Sequence, residues 1–530
     1  MKAELTGRKY NKGMITLELL IAFTILILCI TGSILVASQS GYLGVDQVTF
    51  GNQSVAIDSQ TNNEAIFKAQ EKIEQARALS RQNFLSVVTN SYTIPSGPIT
   101  YDGTDTVLDI SQCLKQVIKN ITWTMGSRPL NSTLVTLLGN PATALAMGGD
   151  CVANPGGGTD WHNPQPFATI PRGAHGSDDT TDVDVDNRML YISGASSAAV
   201  KDDIMVWDAS ALDIPTNTTT LTMKDEENYG LKHFVAIDEA KNNTTGKRYS
   251  YLYAGNDANT NQFQVVDVSN PTNIANPATA ILSLPGVVAS ASGGGNVFFY
   301  KNKVYVGIGY LIAGDELHIF DVSDPTIPVA PASCIMSCHY NVNNNIYKIF
   351  VRDQQVPGLG TRTLAYLALS GTAGTMPELE IYDVTDPTSI SLLSATSIFN
   401  PPGTQYGTAL YVLGNYAYLG RLSGTKPNFY VIDISDPNNP TSCATCNFTI
   451  SGENINDIAV SGNFAFIGHT DGIQILDVSD PANVKKPTGS PFGFYQVNNG
   501  VNAIDIDSDF AYGAVNNQGS TAFYIFYSAP

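Results

Sequence analysis

Three stretches late in the chain carry one pattern: Leu317-His318-Ile319-Phe320-Asp321-Val322-Ser323-Asp324-Pro325, Tyr430-Val431-Ile432-Asp433-Ile434-Ser435-Asp436-Pro437 and Ile473-Gln474-Ile475-Leu476-Asp477-Val478-Ser479-Asp480-Pro481. Each is an apolar run closed by an acidic turn and a proline. Each follows a second apolar run ending in glycine: Val304-Tyr305-Val306-Gly307, Tyr416-Ala417-Tyr418-Leu419-Gly420 and Phe464-Ala465-Phe466-Ile467-Gly468. Asp267 and Asp383 stand in the same context, Asp208 ends a degenerate copy, and Tyr527 closes a last copy without the acidic turn. Seven units result, with anchors 44–62 residues apart. A unit of short strands and polar turns cannot bury both its faces alone, so neighbours must stack. Four strands per unit at this period predict an all-β propeller of seven blades over residues 167–530, a ring that leaves few open edges. In the turns, Asp side chains are expected to accept backbone N–H bonds while proline stops the strand.

These units resemble the LVIVD repeats of bacterial and archaeal surface proteins over most of residues 180–530. In the first unit Asp182, Asp184 and Asp186 alternate and so share one strand face. Alignment with Asp457 puts Asp182 on an inner strand beside the channel. Hard cations favour such oxygen clusters, yet three acids without a glycine-turned loop are a weak calcium signal, and no other cofactor is expected. The six histidines include His233, His318, His339 and His469, which fall at non-equivalent positions and are assigned to different repeats. The sequence holds no Gly-x-Ser-x-Gly, His-Glu-x-x-His or Walker-type loop. A binding role is therefore expected rather than an enzyme. Loops near Asn242-Asn243-Thr244-Thr245-Gly246 and Gly371-Thr372-Ala373-Gly374 are expected to tailor a recognition face.

The opposite end reads differently. Lys2, Arg8, Lys9 and Lys12 against Glu4 give the first 13 residues a net charge of +3, and from Met14 to about Ala37 the only formal charge is Glu18. A helix of that length spans roughly 36 Å, enough for a hydrocarbon core, and the basic start stays on the cytoplasmic side. An intramembrane carboxylate costs on the order of 2.5–3.5 kcal/mol and marks a function with a nameable partner. Cleavage after Gly13 supplies one, the new α-amine of Met14. The stretch Lys12-Gly13-Met14-Ile15-Thr16-Leu17-Glu18-Leu19-Leu20 closely resembles the processing site of type IV prepilins and pseudopilins. That resemblance implies cleavage between Gly13 and Met14, N-methylation of Met14 in place of the usual phenylalanine, and filament assembly guided by Glu18.

After the apolar segment, a helix is predicted to resume by about Asn63, with Ile66, Ala69, Ile73 and Ala76 forming a buried stripe. Residues 117–123 and 130–138 read as strands around a turn at Gly126-Ser127-Arg128. The expected fold class is thus an α+β pilin-like N-terminal domain, a long N-terminal helix on a small antiparallel sheet, ahead of the propeller. The expected boundaries are a leader at 1–13, a transmembrane or filament-core helix at 14–38, pilin-like helix and sheet at 39–138, and a Gly/Pro-rich linker at 139–166.

Of seven cysteines, Cys29 lies in the apolar segment, leaving Cys113, Cys151, Cys334, Cys338, Cys443 and Cys446 for an oxidising compartment. Three disulfides are the default, Cys113 with Cys151 stapling the pilin-like domain. A zinc tetrad built from the Cys334/Cys338 and Cys443/Cys446 pairs with His339 nearby is the alternative, disfavoured because the pairs lie two repeats apart. The formal charge of −19 with only 14% charged residues, and no run of Lys and Arg, argues against nucleic-acid binding. The expected function is a minor, tip-located pilin of a type IV pilus or related filament that presents the propeller for adhesion or ligand binding. A pseudopilin of a type II secretion or DNA-uptake machine and a membrane-anchored propeller enzyme are the alternatives. The implied partners are a prepilin peptidase, other pilin subunits, an inner-membrane assembly platform and a surface, cell or matrix ligand. The implied course is from single-pass membrane protein to the extracellular pilus or cell surface.

Overall fold

The computed structural model describes residues 51–82, 87–96, 99–111, 114–125, 128–139, 161–171, 179–195, 203–214, 216–227, 234–254, 262–277, 281–284, 295–309, 315–329, 334, 338–370, 376–507, 510–515 and 521–529. The expectations for Gly13, Met14, Glu18 and the 14–38 helix, and for Cys113 and Cys151, lie outside these residues. Among the described residues no helix is long and apolar enough to cross a membrane.

The chain divides into two compact units. The first is built on one helix, Gly51–Gln82, and a four-stranded antiparallel sheet in chain order, Asn90–Ser96, Ile99–Ser111, Leu114–Met125 and Arg128–Gly139. Its core is small: Ala65 and Ala69 of the helix against Tyr101, Ile121 and Trp123. Of the predicted stripe, Ala69, Ile73 and Ala76 are buried as expected, while Ala65 is fully buried in place of the half-buried Ile66. Small residues let the helix backbone approach the aromatic rings closely, which the larger isoleucine would prevent. The expected fold class is corrected here. The described chain is nearly all β, 58% strand, with this single helix, and no pilin-like α+β domain with a long N-terminal helix is present among the described residues. The physical reason is that strands reach from Asn90 to Gly139 as one meander, two of them unread in the sequence, so the helix is one element beside a sheet rather than the spine of a domain.

The second unit contains seven further sheets, each a four-stranded antiparallel meander, with one extra short strand on the fourth. We number these blades 1 to 7, at residues 179–227, 234–282, 295–340, 346–399, 407–448, 455–496 and 501–528. Their first strands, Asp179–Asp186, Phe234–Lys241, Gly295–Tyr300, Ile346–Val356, Gly407–Leu413, Ile455–Ser461 and Val501–Asp507, neighbour one another in order, and the last neighbours the first. The ring is closed, as a β-propeller. Blade 7 takes its fourth strand from Pro164–Pro171, which pairs antiparallel with Thr521–Ser528 and so ties the two ends of the ring together. The segment expected as linker therefore ends inside the ring. Trp161 is fully buried with its ring 4.8 Å from Phe466, and the Gly493 N–H donates to the His162 carbonyl at 2.6 Å.

The repeated turn folds as its chemistry requires. Asp208, Asp267, Asp321, Asp383, Asp433 and Asp477 each accept the backbone N–H two residues on, at 2.8–3.0 Å. The second acid repeats the arrangement: Asp324, Asp386, Asp436 and Asp480 accept from Thr326, Thr388, Asn438 and Ala482. Each is an Asx turn that satisfies donors a strand end would leave open. The glycine closing the second run has its own cause. A Cβ on Gly420 would stand 2.4 Å from Ile455 of the next blade, and one on Gly307 2.5 Å from Ile346. The motif glycine is where adjacent blades meet.

Candidate functional site

A β-bulge near the start of six inner strands, and plain pairing in the seventh, sets one register for all seven. Counting from it, Asp182, Ala236, Asn296, Lys348, Ala409, Asp457 and Ala503 occupy equivalent positions. Two residues on come Asp184, Asp238, Phe298, Phe350, Tyr411, Ala459 and Asp505. All but Ala236, Ala409 and Ala503 line one cavity of about 140 Å³ at the inner edge of the blades.

The second set divides by chemistry. Asp505, Asp184 and Asp238 belong to the consecutive blades 7, 1 and 2, while Phe298, Phe350 and Tyr411 belong to the consecutive blades 3, 4 and 5. The aromatic rings touch in sequence, Phe298 to Phe350 at 4.9 Å and Phe350 to Tyr411 at 5.6 Å between centroids. One arc of the wall is acidic and the other aromatic. Across the cavity Lys348 pairs with Asp457 at 2.7 Å.

Many of these polar groups also hold the ring together. Asp182 accepts the Ile237 N–H at 3.0 Å, Asn296 that of Ile349 at 3.1 Å, Asp457 that of Ile504 at 3.1 Å and Asp505 that of Val185 at 2.8 Å. Asp184 and Asp238 accept from Glu239 and Phe299. In return, side chains in or beside the bulges donate to the next blade: Thr181 to the Phe234 carbonyl, Thr408 to Ile455, Asn456 to Val501 and Asn502 to Thr180. The seam between blades 4 and 5 instead carries a buried ion pair. Arg421 meets both Glu378 oxygens at 2.5 Å, donates to the Pro427 carbonyl and lies over the Tyr430 ring.

Burial sets the electrostatics. It pushes the Asp182 carboxyl up to about 7, Asp457 adding to the effect while Lys348 opposes it, and pushes Asp184 up to about 6. Asp238 and Asp505 are raised well above the carboxylate range by burial and by the Asp184 charge. Asp184 and Asp238 also lie within hydrogen-bonding reach of each other, across the seam between blades 1 and 2. Burial alone would lower the Lys348 ammonium, but Asp457 and Asp182 outweigh it and keep the group charged. Five carboxyls and one ammonium thus line a single cavity.

The sequence placed Asp182 and Asp457 beside this channel, and both line it. The three acids of the first blade do not converge as a cation cluster: Asp182 and Asp184 serve blade 2, and Asp186 pairs with Arg248. Among the described residues no group of three His, Cys, Asp or Glu is arranged to hold a metal. His318 and His339, assigned to different repeats, are cross-strand neighbours in blade 3 with rings 5.9 Å apart. Cys334–Cys338 and Cys443–Cys446 are disulfides, which removes the zinc tetrad. The Asn242 loop is anchored at its base, with Asn243, Thr244, Thr245 and Gly246 exposed. Asn242 is fully buried, its amide donating to the Val322 carbonyl and its oxygen accepting from Thr244 and Thr245. Residues 371–374 lie outside the described residues. The sequence reading missed Asp238, Asp505 and the aromatic arc, because each looks ordinary alone and only superposing the seven bulges brings them together.

Comparison with known proteins agrees with the repeat architecture. The LVIVD repeat family matches residues 250–276, 303–335, 407–447 and 453–485, in blades 2, 3, 5 and 6. No curated relative matches the sequence. Among solved structures, a DUF4623 family protein from Bacteroides eggerthii aligns at 10% identity and a TM-score of 0.32, over 72% of this chain and 96% of that one. A GH43 β-1,3-galactosidase aligns at 10% identity and a TM-score of 0.31, over 69% and 95%.

Proposed function

We propose that this chain is an exported binding protein, not an enzyme, in which an LVIVD-repeat propeller is presented outside the cell by a prepilin-type N-terminal segment. The observation that carries the binding reading is the divided wall of the central cavity. A fixed acidic arc facing a fixed aromatic arc suits a ligand with a cationic group on an apolar body, since aromatic faces and carboxylates both attract cations. Export is supported by the Cys334–Cys338 and Cys443–Cys446 disulfides, which persist in oxidising compartments. Display on a type IV filament, as a minor subunit, is supported by the Gly13-Met14 junction and by Glu18 four residues beyond it. The proposed partners are a prepilin peptidase, sister pilins, an assembly platform and an extracellular ligand.

Two measurements test this reading. Replacing Gly13 by a bulky residue, or Glu18 by Ala, is expected to remove the chain from sheared filaments; unchanged mature size and filament content would refute the display. For binding, benzyltrimethylammonium is the probe. It is expected to raise the melting temperature of the full-length protein more than sodium does at equal ionic strength, and an equal response to both counts against the cavity.

A further inference from the structure

We infer that the seam between blades 4 and 5 contains a site for a small monovalent anion, chloride in ordinary media, held by Arg352. Arg352 is 3% exposed, yet its Nε and Nη1 have no hydrogen-bond partner among the described residues. Its other nitrogen, Nη2, donates to the Gln354 side-chain oxygen, which also takes the Tyr366 hydroxyl, and the group lies 5.7 Å from the Tyr366 ring. Neither neighbour carries a negative charge. A buried cation without a counter-charge costs several kcal/mol even after relaxation, so the charge must be met.

No described carboxylate meets it. Asp353, the next residue, is turned to the opposite face of the strand by the period-two alternation, where it is held by Lys301 and by the Thr363 hydroxyl at 2.8 Å. Phe350 and Gln354 share the face of Arg352, and both reach blade 5, Phe350 through Tyr411 and Gln354 through the Ile434 carbonyl. At the positions equivalent to Arg352 the two flanking blades offer Tyr300 and Leu413, both uncharged. Glu378 is committed to Arg421, Glu380 takes the Tyr382 hydroxyl, and Asp383 faces Arg362. The same seam shows how a buried guanidinium is otherwise satisfied, because Arg421 has both oxygens of Glu378, two backbone carbonyls and an aromatic face. Arg352 has the aromatic face, one amide oxygen and the Tyr366 hydroxyl, all of them neutral. The missing component is an anion. The hydrophobic cluster of this seam, in which Tyr366 packs with Leu364, Leu410, Val412 and Ile434, is apolar and favours a weakly hydrated anion over a divalent oxyanion.

The test uses the full-length protein in sodium bromide, chloride or gluconate at one pH and ionic strength. Bromide and chloride are expected to raise the wild-type melting temperature by about 2 °C or more over gluconate, whose anion is too large for the seam. Arg352→Met is expected to abolish that difference, general salt effects remaining. Crystals soaked in bromide supply a readout that needs no variant: an anomalous peak within hydrogen-bonding reach of the Arg352 guanidinium supports the site. Water alone at that position, or an unchanged anion ranking in Arg352→Met, overturns it.

Discussion

At the scale of the residue, the acids of the inner strands do two jobs that pull in opposite directions. Their oxygens bind backbone N–H groups of the next blade, and their charges repel one another in a space with one ammonium, Lys348, to offset them. Burial leaves Asp182 and Asp184 with folded-state values of about 7 and about 6, above the roughly 3.9 of an unfolded Asp. The folded state therefore binds more protons than the unfolded one, so the stability these groups contribute is complete below about pH 4 and is lost as pH rises through 6 to 7. The groups facing them from other blades are Asp457 and Lys348 on Asp182, and Asp238, Asp505 and Glu239 around Asp184. We expect thermal stability to be higher at pH 5 than at pH 8, by on the order of 1–2 kcal/mol for Asp184, the rest of its contribution being lost already between pH 4 and pH 5. Asp184→Asn is expected to flatten the profile without undoing the ring, because an amide oxygen can accept the Glu239 N–H in place of the carboxylate, as Asn296 accepts that of Ile349 at the position equivalent to Asp182. A melt series at five pH values decides; a variant as steep as wild type assigns the dependence elsewhere. The Arg421–Glu378 pair gives a second expectation. Both side chains are nearly inaccessible, at 0% and 2%, so Arg421→Ala strands a buried carboxylate and is expected to cost about 3–5 kcal/mol in urea unfolding. A loss under 1 kcal/mol would mean the seam relaxes to admit water. Little of this was legible in the sequence beyond the equivalence of Asp182 and Asp457. Asp238 sits in Phe234-Val235-Ala236-Ile237-Asp238 and Asp505 in Val501-Asn502-Ala503-Ile504-Asp505, where an acid on a strand face looks solvated until the ring closes over it.

At the scale of the element, the repeat unit was the most readable part of the chain, and its legibility has a local cause. The Asp-x-Ser-Asp-Pro turn is satisfied within itself, each Asp bonding two residues on, so it keeps its sequence wherever the blade stands. The glycine before it is set by the neighbouring blade instead. Because a Cβ on Gly420 would stand 2.4 Å from the Ile455 side chain and 3.0 Å from Ala409, Gly420→Ala must push the blade 5–6 seam apart. Overpacking of this kind costs about 1–3 kcal/mol. Adding Ile455→Ala, which removes the Cγ2 methyl that the new Cβ strikes, is expected to make the pair cost less than the sum of the two single changes, so a double-mutant cycle reads the contact directly. Additive effects would show that the clash is relieved by backbone movement rather than by Ile455. The helix Gly51–Gln82 shows the reverse case. Its periodicity was readable, but Ala65 in place of Ile66 at the centre depends on the rings of Tyr101 and Trp123, which local spacing does not encode.

At the scale of the whole molecule, the ring depends on one strand that the sequence disguised. Pro164–Pro171 contains three prolines and no acidic turn, so it reads as the end of a linker; proline is tolerated on an edge strand, and this strand is the outer edge of blade 7. Without it, blade 7 has three strands, Thr521–Ser528 loses its ladder, and the unpaired edge is open to another chain. The flanking residues anchor the same closure: Trp161 fills the core of blades 6 and 7, and the Ala529 N–H donates to the Asn163 carbonyl at 2.9 Å. Ring stability should therefore respond to the start of the chain far more steeply than to length removed. A chain beginning at residue 158 is expected to melt as one cooperative transition and to run as a monomer in size exclusion. A chain beginning at residue 172, shorter by only 14 residues, is expected to melt lower and more broadly and to self-associate through the exposed Thr521–Ser528 edge. Supplying a peptide of residues 158–171 in trans is expected to restore the monomer, since the missing ladder and the Trp161 pocket are then filled again. Equal melting of the two chains would mean that the seven inner strands and their side-chain clasps suffice to hold the ring, with the joint between its ends dispensable.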